Sequence, residues 1–182
     1  MKFTVKNGSI FNARSIALVG IMAATLECGK LVLSFLPNIE VVTILCALYG
    51  YVFGVLGIVA AVVFVCIEPL IYGFGSWIIT YFIYWPLVAF VFMMLRRRGV
   101  KGRLCLTLVA LAMTVGFGVL SSIIDAAFYL GINKNYLANV LLYYLRGIAF
   151  YLAHLSCNAV LFPTLFLFMV NKLGKIKPNM SI

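Results

Sequence analysis

The chain has 182 residues, of which 65% are hydrophobic and only 10% charged, and its mean hydropathy is +1.17. A soluble domain is nearer half apolar, so this composition excludes a water-soluble fold and requires lipid as the solvent. The formal net charge of +10 then reflects basic cytoplasmic loops rather than nucleic-acid binding.

About twenty apolar residues cross a bilayer as a helix, and six candidate runs make one membrane domain of residues 1–182. The opening "MKFTVKNGSIFNARS" is polar and basic; residues 1–11 read as a cytoplasmic lead-in rather than a cleaved leader. Segment 1 covers residues 12–35 and stops at Pro37, which lacks an N–H and disfavours helix just before it. Segment 2 (40–53) and segment 3 (57–72) are short and meet at Gly54 and Gly57, where a tight reversal is possible. "EPLIYGFGS" separates segment 3 from segment 4 (77–95). "RRRGVKGR", residues 96–103, is too charged for the bilayer core and precedes segment 5 (104–130). The turn-like "GINKNYLAN" leads to segment 6 (136–170), which Pro163 kinks, and a basic tail of residues 171–182 follows.

The five cysteines, Cys28, Cys46, Cys66, Cys105 and Cys157, lie singly in apolar runs and read as small buried hydrophobes, with no metal set. If both termini are cytoplasmic, 11 of the 14 Lys and Arg residues lie inside, leaving Lys30, Lys134 and Arg146 elsewhere. That bias predicts an all-α bundle of six transmembrane helices with both termini in the cytoplasm of a cell membrane.

This orientation gives the rare charges a depth. Glu27, Glu40, Glu68 and Asp125 all fall in the outer half or at its edge, as do Lys30 and Arg146. A charge near mid-bilayer costs about 2.5–3.5 kcal/mol on insertion scales, so such residues face a cavity or each other. In segment 6, Arg146, Phe150, His154 and Asn158 follow at four-residue steps on one drifting stripe. In segment 5, Thr114, Gly118, Ser121, Ser122 and Asp125 share a face. In segment 4, Trp77, Tyr81 and Tyr84 share a face with Trp85 beside it. Aromatic walls with a few convergent polar groups describe a small-molecule site open to the outside. Each member also has a plainer reading. Trp77 suits an interfacial belt, His154 a helix–helix hydrogen bond, Asp125 with Arg146 a structural ion pair, and Glu40 a solvated position.

On segment 1, Ala13 and Ala17, then Gly20 and Ala24, place small residues on nearly one face, where another helix can approach closely. Packing within the chain is the competing reading. There is no phosphate-cradling GxxxxGK[ST], no HExxH and no G-x-S-x-G, so no enzyme activity and no cofactor are expected.

Six helices in under 200 residues, the A-x-x-x-A of segment 1, and the stretches "LPNIEVVTILCALYGYVFG" and "YGFGSWIITYFIYWPLVAF" resemble the substrate-binding S components of energy-coupling factor (ECF) vitamin transporters. The resemblance covers essentially the whole chain. It implies high-affinity capture of a micronutrient from outside, in partnership with a transmembrane T component and two cytoplasmic ATPases. It implies that Ala13 and Ala17 dock on the T component, and that residues 36–40 form a lid over the ligand. Asn38 and Glu40 then either touch the ligand or shape the entrance. A cobalamin-type, pyridoxine-type or queuosine-type ligand would each be tolerable. The competing expectation is a stand-alone proton-coupled carrier with Glu27, Glu68, Asp125 and His154 as relay groups.

Overall fold

A computed structural model describes residues 12–35 and 39–176, which fold into helices α1 (Ala13–Val32), α2 (Val42–Phe53), α3 (Val55–Tyr72), α4 (Trp77–Arg97), α5 (Arg103–Leu130), α6 (Tyr136–Arg146), α7 (Ile148–Leu161) and α8 (Leu167–Ile176). A five-residue π-turn, Phe162–Phe166, joins α7 to α8. There is no strand among the described residues. The lead-in 1–11, Pro37 and Asn38 lie outside the described residues. Among the described residues, five helical stretches are long and apolar enough to cross a membrane: α1, α3, α4, α5 and the continuous run Ile148–Lys175.

At 12 residues α2 is too short to cross at full thickness, yet it is the centre of the bundle. Nearly every one of its residues from Val42 to Val52 is buried, as a helix apolar all round must be. Its neighbours are α4, α3, α1, α8, α5 and α7. Two glycines allow this density. A Cβ on Gly50 would lie 2.0 Å from the Ala89 carbonyl oxygen of α4, and one on Gly57 would lie 2.3 Å from the Tyr49 backbone. Gly54 supplies the reversal between α2 and α3, with φ +65°, a left-handed conformation that side chains disfavour.

The sixth apolar run differs from its sequence reading. It is not one helix but two, broken at Gly147, and its second half continues beyond residue 170. A Cβ on Gly147 would strike the Tyr151 ring at 2.6 Å, so the glycine admits the ring that packs over the break. None of the α6 residues is buried; the helix lies along α5 at the bundle surface. At Pro163 the run passes through a π-turn that seats Phe162 and Phe166 against Phe92. The predicted tail from residue 171 is helical through Ile176.

The charges divide between the two ends of the bundle. Arg14, the Arg96–Arg98 run, Lys101, Arg103, Lys172 and Lys175 sit at the end where α1 and α5 begin and α4 and α8 finish. Near the other end lie Glu27, Glu40, Glu68 and Asp125, with Lys30, Lys134 and Arg146.

Candidate functional site

At the acidic end, the first turn of α2 is organised by one carboxylate. Glu40 precedes the helix, and its Oε2 accepts the Thr43 backbone N–H at 2.9 Å while its Oε1 accepts the Thr43 hydroxyl at 2.6 Å. This satisfies one of the N–H groups that a helix start leaves open and places negative charge where the helix dipole favours it. Asn158 of α7 donates from its amide to Glu40 Oε1 at 2.9 Å and to Thr114 Oγ1 of α5 at 3.1 Å. The Cys157 thiol donates to the Glu40 carbonyl at 3.2 Å. Glu40, Thr43, Thr114 and Asn158 are all buried, so three helices are tied together by one polar network.

Above this network is a cavity of about 220 Å³, bounded by Glu40, Val41 and Val42, by Lys30, Leu33 and Ser34 of the α1 end, and by residues of α3, α4 and α7. Its aromatic wall is continuous. Trp77, Tyr81 and Trp85 follow one another along α4 in edge contacts at 5.1 and 5.5 Å. Phe117 of α5 joins Trp85 to His154 of α7, with ring centroids 6.0 and 6.2 Å away, and Phe150 lies 4.0 Å from His154. Four of these rings, Tyr81, Trp85, Phe150 and His154, line the cavity itself. The Trp85 indole N–H is buried without a protein acceptor among the described residues. A donor so placed costs free energy unless something else accepts its proton. A solute with an acceptor atom would meet that requirement.

The cavity rim also carries a cation. Lys30 pairs with the fully buried Glu68 of α3 and lies 4.0 Å from the Tyr72 ring centroid and 5.4 Å from that of Tyr81. Glu27, one turn before Lys30, is buried beside Glu68. Two carboxyl groups and one ammonium thus share the α1–α3 seam.

The residues anticipated from sequence therefore separate. Glu40, Tyr81, Phe150 and His154 line the cavity, with Lys30 and Trp85. Asn158 supports it from beneath through Glu40, and Glu68 holds Lys30. Trp77 and Tyr84 belong to the aromatic wall through Tyr81, Trp85 and Phe117. Asp125 and Arg146 are not brought to the cavity. Asp125 accepts from Ser76 at 2.6 Å and from Ser121 at 3.5 Å, and it stitches the start of α4 to α5. Arg146 is exposed at the end of α6, over the Tyr143 ring, and no ion pair joins it to Asp125 among the described residues. The stripe from Arg146 to Asn158 does not survive because the helix breaks at Gly147. Ser122 bonds back to the Gly118 carbonyl at 2.7 Å. Asn38 lies outside the described residues.

Sequence reasoning missed Leu33, Ser34, Val41, Val42, Phe64 and Tyr72 as lining residues. Most are apolar in an apolar chain and carry no signal of their own. Tyr72 was legible in principle: it lies one helical turn past Glu68, and its ring covers the Lys30 ammonium. On α1, Ala13, Ala17, Gly20 and Ala24 are all exposed, and a Cβ on Gly20 would meet nothing within 4 Å.

Fold and cavity together define a helical membrane protein with a small polar-and-aromatic pocket near one end of the bundle. No protein-family model, no curated protein and no solved structure matches the chain.

Proposed function

We propose that this chain is the substrate-binding S component of an ECF-type transporter, six-spanning, with both termini in the cytoplasm of a cell membrane. In that role it binds a vitamin or related micronutrient from outside and relies on a T component and two ATPases for energy. The observation that carries the reading is the cavity between the end of α1 and the start of α2, where Glu40, Lys30, Trp85 and His154 converge at the end away from the basic loops. The exposed small-residue face of α1 supports it as a surface for the T component. The short α2 would be the sixth segment, buried at the centre rather than spanning at full thickness.

The cavity also narrows the ligand. A cavity of about 220 Å³ suits a solute of one or two rings better than a corrin. A pyridoxine-type solute is of the right scale. Such a ring can stack on the α4 and α7 aromatics and accept the Trp85 proton.

The test is mass spectrometry of small molecules that co-purify with the protein, followed by binding of the identified compound to the isolated chain. A one- or two-ring solute bound at nanomolar to micromolar affinity supports the reading. An empty protein that moves solute down a proton gradient by itself, in liposomes, would replace it with the proton-coupled carrier. The Glu27–Glu68–Lys30 seam is the feature that favours this second reading. For docking, Ala17→Trp should abolish capture of a T component while ligand affinity stays unchanged.

A further inference from the structure

The basic end of the bundle carries a second cavity, larger than the first. It measures about 670 Å³ and lies among the C-terminal ends of α2, α4 and α8. Its charged lining is Arg96, Arg97 and Lys175, with the Asn171 amide beside them, and it contains no acid. Among the described residues none of these three cations forms an ion pair. The Arg96 guanidinium is held 5.2 Å from the Tyr51 ring centroid, and the Tyr51 hydroxyl is fixed by donating to the Val100 carbonyl at 2.7 Å. One arginine is thus positioned on a buried aromatic platform, with no carboxylate among the described residues to neutralise it.

A second groove adjoins the first. About 370 Å³ in volume, it runs between α1, α2 and α8 and is lined by apolar groups such as Leu18, Ile21, Leu45, Leu48 and Met169. Its few polar atoms are occupied or peripheral: the Thr25 and Tyr49 hydroxyls bond each other, and the Lys172 ammonium lies over Phe168. Phe53 lines both spaces, so the basic cleft and the apolar groove share a wall. From Leu18 to Thr25 the groove follows α1 for about 10 Å at 1.5 Å per residue.

We infer that this pair of cavities is a binding site for an anionic phospholipid, with the phosphate in the Arg96–Arg97–Lys175 cleft and one acyl chain in the groove beside α1. Two guanidinium groups can each offer paired N–H donors to phosphate oxygens, and the ammonium adds a third cation. A free phosphate would use only the cleft. A long apolar slot sharing a wall with it matches a molecule that carries charge and hydrocarbon together. Basic pockets between membrane helices recognise lipid head groups by the same chemistry. The site is independent of what the outer cavity holds.

The test uses the full chain in detergent, dioleoyl phosphatidylglycerol and dioleoyl phosphatidylcholine as probes, and native mass spectrometry to count bound lipid. One phosphatidylglycerol should be retained at least tenfold more strongly than phosphatidylcholine. The triple variant Arg96→Gln/Arg97→Gln/Lys175→Gln should lose that preference, whereas Lys101→Gln/Arg103→Gln, which removes basic charge outside the cleft lining, should keep it. Ile21→Trp, at an exposed groove position, should weaken retention several-fold without touching the cations. Equal retention of the two lipids, or of phosphatidylglycerol by the triple and control variants, overturns the site. Complete displacement by millimolar inorganic phosphate with no effect of Ile21→Trp also overturns it, in favour of a simple anion site.

Discussion

Glu40 offers the sharpest separation of folding from binding. Replacing it with Ala removes the acceptor for the Thr43 N–H, the Thr43 hydroxyl and one Asn158 amide proton, all in a buried network. A hydrogen bond to a charged group contributes about 1.5–3 kcal/mol, and a buried donor left unpaired costs about 1–3 kcal/mol. Asn158 keeps Thr114 as a partner and the Thr43 hydroxyl can rotate, so the full sum is not lost. A net loss of about 3 kcal/mol is expected for Glu40→Ala. Glu40→Gln behaves differently. The Gln oxygen can still accept from the Thr43 hydroxyl and the Asn158 amide, so only the Thr43 N–H loses its acceptor. Its cost should be about 1–2 kcal/mol, while the cavity loses its negative charge. Unfolding free energies from SDS titration in mixed micelles give the first comparison, and calorimetric titration of the co-purifying ligand gives the second. Equal destabilisation by Ala and Gln would refute the capping argument. Unchanged ligand affinity in Glu40→Gln would remove the Glu40 charge from recognition.

Trp85→Phe keeps a ring in the wall but deletes the unpartnered indole N–H; ligand affinity should fall about tenfold, roughly 1.4 kcal/mol, with little change in unfolding midpoint. Lys30→Met leaves Glu68 buried and uncompensated, which should cost about 3 kcal/mol or more, and Lys30→Met/Glu68→Gln should recover most of it in a double-mutant cycle. Gly50→Ala drives a methyl into the Ala89 backbone and should cost at least about 3 kcal/mol, visible as lost monodisperse protein on size exclusion. Gly20→Ala, with open space around it, should leave stability within about 0.5 kcal/mol.

The amino-acid sequence by itself determined the solvent and the punctuation. Composition alone demands lipid, and Gly54, Gly73, Gly131 and the basic run 96–103 mark where helices stop, because those residues act through local backbone geometry and charge. It also singled out Glu40, Tyr81, Phe150 and His154, since polar and aromatic groups are conspicuous in a hydrocarbon-rich chain. What it could not determine was which helix faces meet. Gly147 breaks the last run, so the register counted from Arg146 does not carry into α7, and Arg146 ends outside the pocket. Asp125 looked like a partner for Arg146 at matching depth, but the start of α4 brings Ser76 to it first. The central place of α2 was equally hidden, since a short apolar run looks alike at the core or the rim. Only the tertiary structure decided it, through a glycine that brings α2 onto the α4 backbone at Ala89. Depth and polarity are properties of single residues; convergence depends on helix phase and on breaks that only packing fixes.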